Sequence, residues 1–312
     1  MSRQRIRAGL SGMLAIVLVF LFAVPFTVAE ESWDAIYIEN EWNFADGSID
    51  TGHGIPENAT GVLDRIRRKG VLKVGTEPYY APMEFIDPEK SGQSSYAGAD
   101  MELARLIADK MGVALEIIPM DYTQVLPAVT ENQCDLTISA IAFTPGRASS
   151  YAMSKGYWFP DSGAMTAFVI REEDREAIAS AEDLADKTLV AQSNSLQEAL
   201  VAEHVHNYKE FRRVSSVQTI YEMVKGGKAD AGIVDKETAE TYIRNNPSGG
   251  LILADNLEYR LEDHYLGYRV VAKKSELQLI YFVNGVIDEV VASGQYAQWI
   301  AEAQKRADEL GL

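Results

Sequence analysis

The sequence is poor in the groups that carry redox and metal chemistry. It has one cysteine, Cys134, in 312 residues, so no internal disulfide can form. Cys134 borders the apolar run at 136–141, where a lone thiol packs as a small hydrophobe. The sequence places no His or Asn beside it, which argues against a catalytic thiol. The histidines are four: His53, His204, His206 and His264. His204 and His206 are two apart on an expected helix and therefore diverge, so no metal site is expected. The P-loop, the G-x-S-x-G elbow and paired-cysteine motifs are missing, and no cofactor is implied. Basic residues are also scarce: 29 Lys and Arg stand against 46 Asp and Glu, a net charge of −17. That balance argues against nucleic acid or an anionic membrane surface as partner.

A second long apolar run is missing too. The only one, at 13–26, follows Arg3, Arg5 and Arg7 and precedes the small-residue stretch Thr27-Val28-Ala29. This is the layout of a cleaved secretory signal at 1–29, and the run is short for a membrane span. A retained N-terminal anchor is the alternative. With no cysteine near the cleavage point, a lipid anchor by that route is not expected. Cleavage removes three arginines and no acid, leaving a charge of −20 on about 283 residues. A chain of that length exceeds one comfortable core and points to two lobes. Its acidity leans mildly toward cationic ligands.

Residues 30–61 read as an irregular extension with Trp33, Trp42 and a candidate hairpin at Asp46-Gly47. Asn58-Ala59-Thr60 matches a glycosylation sequon. From Val62 the pattern is regular. Strands at 71–76, 114–119 and 136–141 alternate with helices at 100–111 and 124–131, which calls for a parallel sheet with helices on its faces. After a Pro/Gly/aromatic passage at 157–163 a second set follows, with strands at 164–170, 188–191 and 229–234. Its helices are at 197–206, 219–225 and 238–244. A strand at 265–272 and helices at 277–291 and 296–310 close the chain. The expected fold is α/β and two-lobed, with lobe 1 at 62–160 plus 264–312 and lobe 2 at 161–263. Each lobe has a mostly parallel sheet flanked by helices, and two hinge crossings join them. Ligands of such sheets sit beyond the carboxyl ends of the strands. The candidate lining is therefore 77–83, Asp121-Tyr122, 139–147 (with Ser139, Ala140, Ala142 and Thr144), 192–196 and Asp235.

Those positions offer specific chemistry. In Thr144-Pro145-Gly146-Arg147, Thr144 can cap a helix, Pro145 suits its first position and Arg147 falls in the first turn. A cation there opposes the helix dipole, so either it is a solvated surface arginine or it is aimed with the cap at an anion such as a carboxylate. Ser195-Leu196-Gln197-Glu198 has capping-box spacing. It is either an ordinary cap or a set of N–H groups for the same carboxylate. Asp235 can cap the helix after it, pair with an α-ammonium, or do both. Tyr79, Tyr80 and Tyr122, with Met83 beside them, offer flat faces to an aliphatic or cationic side chain, or pack as core or rim. Glu77 either meets a cationic ligand tip or stays solvated at the cleft mouth.

From Val71 to about Trp299 the chain resembles the extracytoplasmic solute-binding proteins of polar amino-acid ABC importers, family 3, with the type II periplasmic binding fold. The motifs that carry the likeness run in register. They are Val74-Gly75-Thr76-Glu77-Pro78-Tyr79-Tyr80-Ala81-Pro82-Met83-Glu84-Phe85, Gly98-Ala99-Asp100-Met101-Glu102-Leu103-Ala104, and Pro119-Met120-Asp121-Tyr122 with Val125-Leu126-Pro127-Ala128-Val129. They continue as Cys134-Asp135-Leu136-Thr137-Ile138-Ser139 through Arg147, and Lys228-Ala229-Asp230-Ala231-Gly232-Ile233-Val234-Asp235. The resemblance implies that Arg147, helped by Ser195 and Leu196, holds a ligand carboxylate. It gives Asp235 the α-ammonium, sandwiches the side chain between Tyr80 and Tyr122, and puts Glu77 at its polar end. Ala140 and Ala142 would line the floor through backbone groups. The family often has Ser, Gly or Thr where Ala140 and Ala142 stand, and Gly-Ser/Thr-Thr where Asn194-Ser195-Leu196 stands. The missing hydroxyls leave room for an amino-acid derivative with fewer polar contacts.

The resemblance implies a monomeric periplasmic protein that closes its lobes on a polar amino acid, cationic by preference, and delivers it to a membrane permease. Two other classes share the scaffold: an exported enzyme like the cyclohexadienyl dehydratases, and a sensory or accessory binder.

Overall fold

In the computed structural model of the chain, the described residues are 47–159, 165–260 and 267–312. The expected leader, most of the extension and the middle of both expected crossings lie outside them. Among the described residues no helix is long and apolar enough to cross a membrane.

The first half builds α1 (Gly61–Lys69), β1 (Val71–Thr76), β2 (Tyr79–Tyr80), β3 (Glu84–Ile86), β4 (Tyr96–Ala97) and α2 (Ala99–Met111). It continues with β5 (Ala114–Pro119), α3 (Tyr122–Thr130), β6 (Leu136–Thr137), α4 (Pro145–Ser150) and β7 (Tyr151–Trp158). The second half builds β8 (Met165–Arg171), β9 (Thr188–Gln192), α5 (Leu196–His204), β10 (Glu210–Val214), α6 (Val217–Lys225), β11 (Ala231–Asp235), α7 (Lys236–Asn245) and β12 (Leu251–Arg260). β13 (Tyr268–Lys273), α8 (Leu277–Ser293) and α9 (Gln295–Leu310) follow.

Two five-stranded sheets result, in the orders β5-β1-β6-β13-β7 and β10-β9-β11-β8-β12. In the first, β5, β1 and β6 are parallel while β13 runs antiparallel to both β6 and β7. In the second, β10, β9 and β11 are parallel while β8 runs antiparallel to β11 and β12. The β-α-β segments supply the parallel strands, as helical crossovers require. The antiparallel strands β7, β8, β12 and β13 carry the chain from one sheet to the other and back. A small antiparallel sheet, β2-β3-β4, sits at the exit of β1.

Helix periodicity explains the packing. α2 buries Met101, Leu103, Ala104, Ile107, Ala108 and Met111 on one face. All of these but Met101 join Leu72, Val74 and Leu136 of the first sheet, Ile138 just past β6, and Leu279, Phe282, Val283 and Val286 of α8, in one core. The second sheet has a separate core on each face. Gly98 joins the small sheet to α2. Its φ is +114°, and a Cβ there would stand 2.2 Å from the Met83 carbonyl oxygen, so a side chain would force the hairpin off the start of α2.

Three expectations are corrected. The apolar run at 136–141 is not one strand: only Leu136–Thr137 is laddered. Ala140 takes a left-handed φ of +44°, and its N–H donates to Asp100 Oδ2 at 2.8 Å, so the chain leaves the sheet there and touches it again at Ala142, paired with Tyr268. The run is apolar because it is buried, not because it is all strand. The hairpin expected at Asp46-Gly47 falls partly outside the described residues, and 47–50 holds no strand. Instead Ile49 N–H donates to Tyr281 O (3.0 Å) and Asn284 Nδ2 to Gly47 O (2.8 Å), which lays this segment along α8. Met83, expected beside the ligand, is buried in the first core under the Tyr296 hydroxyl.

Candidate functional site

The ends of β1, β9 and β11 meet at a cavity between the two sheets, enclosing about 760 Å³ of non-protein space, part of it open to solvent. Of the twelve residues expected at the site, all but Met83 and Thr144 line it: Glu77, Tyr80, Tyr122, Ser139, Ala140, Ala142 and Arg147 on one side, Ser195, Leu196 and Asp235 on the other. Thr144 sits behind Arg147 and caps α4 by accepting from Arg147 N at 3.0 Å. Tyr79 does not line this cavity and is exposed.

Arg147 is not a solvated surface arginine. Its Nη1 donates to Ala142 O (2.8 Å), and its Nη2 donates across the cleft to Asn194 O (2.9 Å) and lies 3.5 Å from the Tyr122 hydroxyl. One guanidinium thus touches both sides of the cavity. Its fork geometry suits a carboxylate, which can take both of its parallel N–H donors.

Ser195 is the N-cap of α5, accepting from Glu198 N at 3.1 Å and donating to Gln192 O at 2.7 Å. The glutamate half of the expected box is displaced by one residue, because Glu198 Oε2 accepts from Asn194 N (2.7 Å). Leu196 and Gln197, in the first turn of α5, line the cavity. First-turn N–H groups have no partner inside the helix and carry the positive end of its dipole.

Asp235 ends β11 and caps α7, accepting from Thr238 N at 3.0 Å. Burial pushes its carboxyl up to about 6, against the pull of the Thr238 N–H. Tyr80 lies against both Asp235 and Tyr268, which fixes the ring between the two sides.

Glu77 does not stay solvated. It is 1% exposed, and its Oε1 has no hydrogen-bond partner. Burial, with the charge of Asp121 adding to it, pushes the carboxyl up to about 8. Ser139 stands between it and a second buried acid: the Ser139 hydroxyl accepts from Glu77 N (3.1 Å) and donates to Glu84 Oε1 (2.8 Å). Glu84 faces Asp100, and burial together with the Asp100 charge holds Glu84 well above the usual carboxylate range. Asp100 accepts from Ala140 N, the Tyr157 hydroxyl (3.0 Å) and the Tyr296 hydroxyl. With three donors on Asp100 and one on Glu84, the proton that the pair shares resides on Glu84.

Gln192, inside the expected stretch 192–196, lines the cavity, whereas sequence reasoning missed Glu84, Gln197 and Tyr268 as lining residues, and Asp100 behind them. Glu84 had a local signal, an acid between apolar Met83 and Phe85 in a short strand. Tyr268 had none, because it reaches the cavity only through the return of the chain to the first sheet.

The sequence profile of the bacterial extracellular solute-binding proteins, family 3, matches residues 72–303. The arginine-binding extracellular protein of Bacillus subtilis is 29% identical over 192 residues, 60% of this chain and 70% of that protein. The crystal structure of an amino-acid ABC transporter substrate-binding protein from Streptococcus pneumoniae, bound to L-arginine, superposes with a TM-score of 0.69 at 29% identity, covering 78% of this chain and 98% of that one. The cyclohexadienyl dehydratase of Pseudomonas aeruginosa is 24% identical over 185 residues, 59% of this chain and 66% of the enzyme.

Proposed function

The chain belongs to the bacterial extracellular solute-binding proteins, family 3, and from that premise we propose that it binds an amino acid with a cationic side chain in the cleft between two lobes and delivers it to the permease of an ABC importer. The observation that carries this reading is the charge layout of one cavity: a forked cation, Arg147, a buried acid, Glu77, and a half-buried one, Asp235. Arg147 takes the α-carboxylate with the first turn of α5 beside it, Asp235 takes the α-ammonium, and Glu77 receives the side-chain cation between the faces of Tyr80 and Tyr122. The lobes are 62–160 plus 264–312 and 161–263, and they close about the two crossings. Signal cleavage after Ala29 releases a monomer into the periplasm. Both relatives matched at 29% identity are binding proteins, and we read this chain as a binder too. A thermal-shift screen of the twenty amino acids tests the proposal, because a ligand that binds only the folded state raises its melting temperature by mass action. Arginine or lysine should give the largest shift. A shift with none of them, together with turnover of a cyclohexadienyl carboxylate, would move the chain to the dehydratase reading.

A further inference from the structure

The cavity holds an acid whose environment opposes its charge. Glu77 Oε1 is buried and unpartnered, and no cation among the described residues is bonded to the carboxylate. Around it stand Asp121 ahead of α3, Glu84 on β3 and, through Glu84, the Asp100 carboxylate on α2. Across the cavity stands Asp235, and the rings of Tyr80, Tyr122 and Tyr268 line the near side. Among the described residues Arg147 is the one cation in the lining, and its bonds go to Ala142 O and Asn194 O, with Tyr122 beside it. An ionised Glu77 in the empty cavity would therefore lie near the exposed Asp121 carboxylate and the buried Asp100 carboxylate with no bonded counter-ion among the described residues.

Resting on the amino-acid reading above, we infer that Glu77 exchanges a proton for the cation of the ligand, so that the cavity accepts neutral, hydrogen-bonding side chains while Glu77 is protonated and guanidinium or ammonium side chains once it is not. The exchange is balanced: the cationic ligand enters with its charge, the Glu77 carboxyl becomes a carboxylate paired to it, and one proton leaves to solvent. A glutamine-like side chain needs no such loss. Its carbonyl oxygen accepts from the protonated Glu77, whose hydroxyl is otherwise without an acceptor. The same residue then sets ligand class by pH, with the Glu84–Asp100 pair as the fixed negative charge that keeps the Glu77 proton on in the empty state. Asp235 also titrates with its raised value near 6, but it meets the α-ammonium common to both ligands, so the ratio of their affinities isolates Glu77.

The test is calorimetry with arginine and with glutamine between pH 6 and pH 8, each in two buffers of different ionisation enthalpy. With Glu77 near 8, the affinity ratio of arginine to glutamine should rise by about 100-fold from pH 6 to pH 8. Arginine binding at pH 7 and below should release close to one proton from Glu77, seen as a buffer-dependent heat, and glutamine binding should release none beyond those from Asp235. Glu77→Gln should flatten the ratio and remove the difference in released protons. If that variant does not fold, the wild-type heats decide alone. A ratio that does not change with pH, or equal proton release by the two ligands, overturns the inference while leaving amino-acid binding intact. Binding of neither ligand at any pH overturns the amino-acid reading and this one with it.

Discussion

Arg147 and Asp235 are built by the same device, a strand or buried run that ends where a short-range cap begins. Thr144 caps the turn that carries Arg147, and Asp235 is itself the cap of α7. The two differ in what a substitution removes. Arg147→Ala deletes the only cation that the described residues bring to the cavity lining, and losing the partner of a buried charge costs about 2–5 kcal/mol, so affinity for the amino acid should fall about 30-fold or more. The Thr144–Arg147 backbone cap survives the change, and calorimetry should show the loss in a protein whose melting temperature is close to wild type. Unchanged affinity would take Arg147 out of the site. Asp235→Asn keeps a good capping side chain while removing the charge. Binding of the amino acid should weaken strongly, whereas a des-amino analogue should bind as before. Equal losses for the two ligands, measured by competition, would make Asp235 a cap and nothing more.

The C-terminal helix α9 is tied to the small sheet by the Arg306 guanidinium, which donates to both oxygens of the buried Asp87 just past β3, at 2.8 and 3.0 Å. The Arg306 bonds hold the Asp87 carboxyl down at about 2. A carboxylate whose folded value is depressed adds stability that is full above its unfolded value, near 3.8, and is lost as the pH falls through the folded one. Arg306→Ala should therefore lower the melting temperature at pH 7 and lower it little at pH 2. A deficit of the same size at both would mean that lost packing, not the ion pair, is the cause. At this scale the sequence was uneven. β1 and β5 were legible to the residue, and α2 and α9 to within a residue, because buried strands bounded by turns and a 3.6-residue apolar stripe are local signals. β7, β10 and β12 were not. β7 is interrupted by Lys155-Gly156, and β10 is a charged edge strand, Glu-Phe-Arg-Arg-Val. β12 carries a register shift between Leu253 and Glu258, with Asn256 at a φ of +60°.

Two sheets that each contribute one wall make the cavity a property of the whole molecule. This is why its lining was partly legible: the rule that ligands sit beyond strand ends needs only strand order, and it gathered ten of the twelve expected residues around one cavity. Tyr268 needed the long-range return of β13, which no local pattern encodes, whereas Glu84 had a local signal in the short strand β3. The Arg147 Nη2 bond to Asn194 O spans the cleft and must break when the lobes part. Small-angle scattering should accordingly show a smaller radius of gyration with saturating arginine than without, and no change would argue for a rigid pocket. The central claim, that this cavity binds a cationic amino acid, is tested most directly by competitive calorimetry of arginine, lysine, glutamine and glutamate on the signal-free chain at pH 8. The account predicts one-to-one binding with arginine or lysine tightest and glutamate weakest, because an acidic side chain would meet Glu77 in a partly dry cleft. Glutamate binding as tightly as arginine would contradict it.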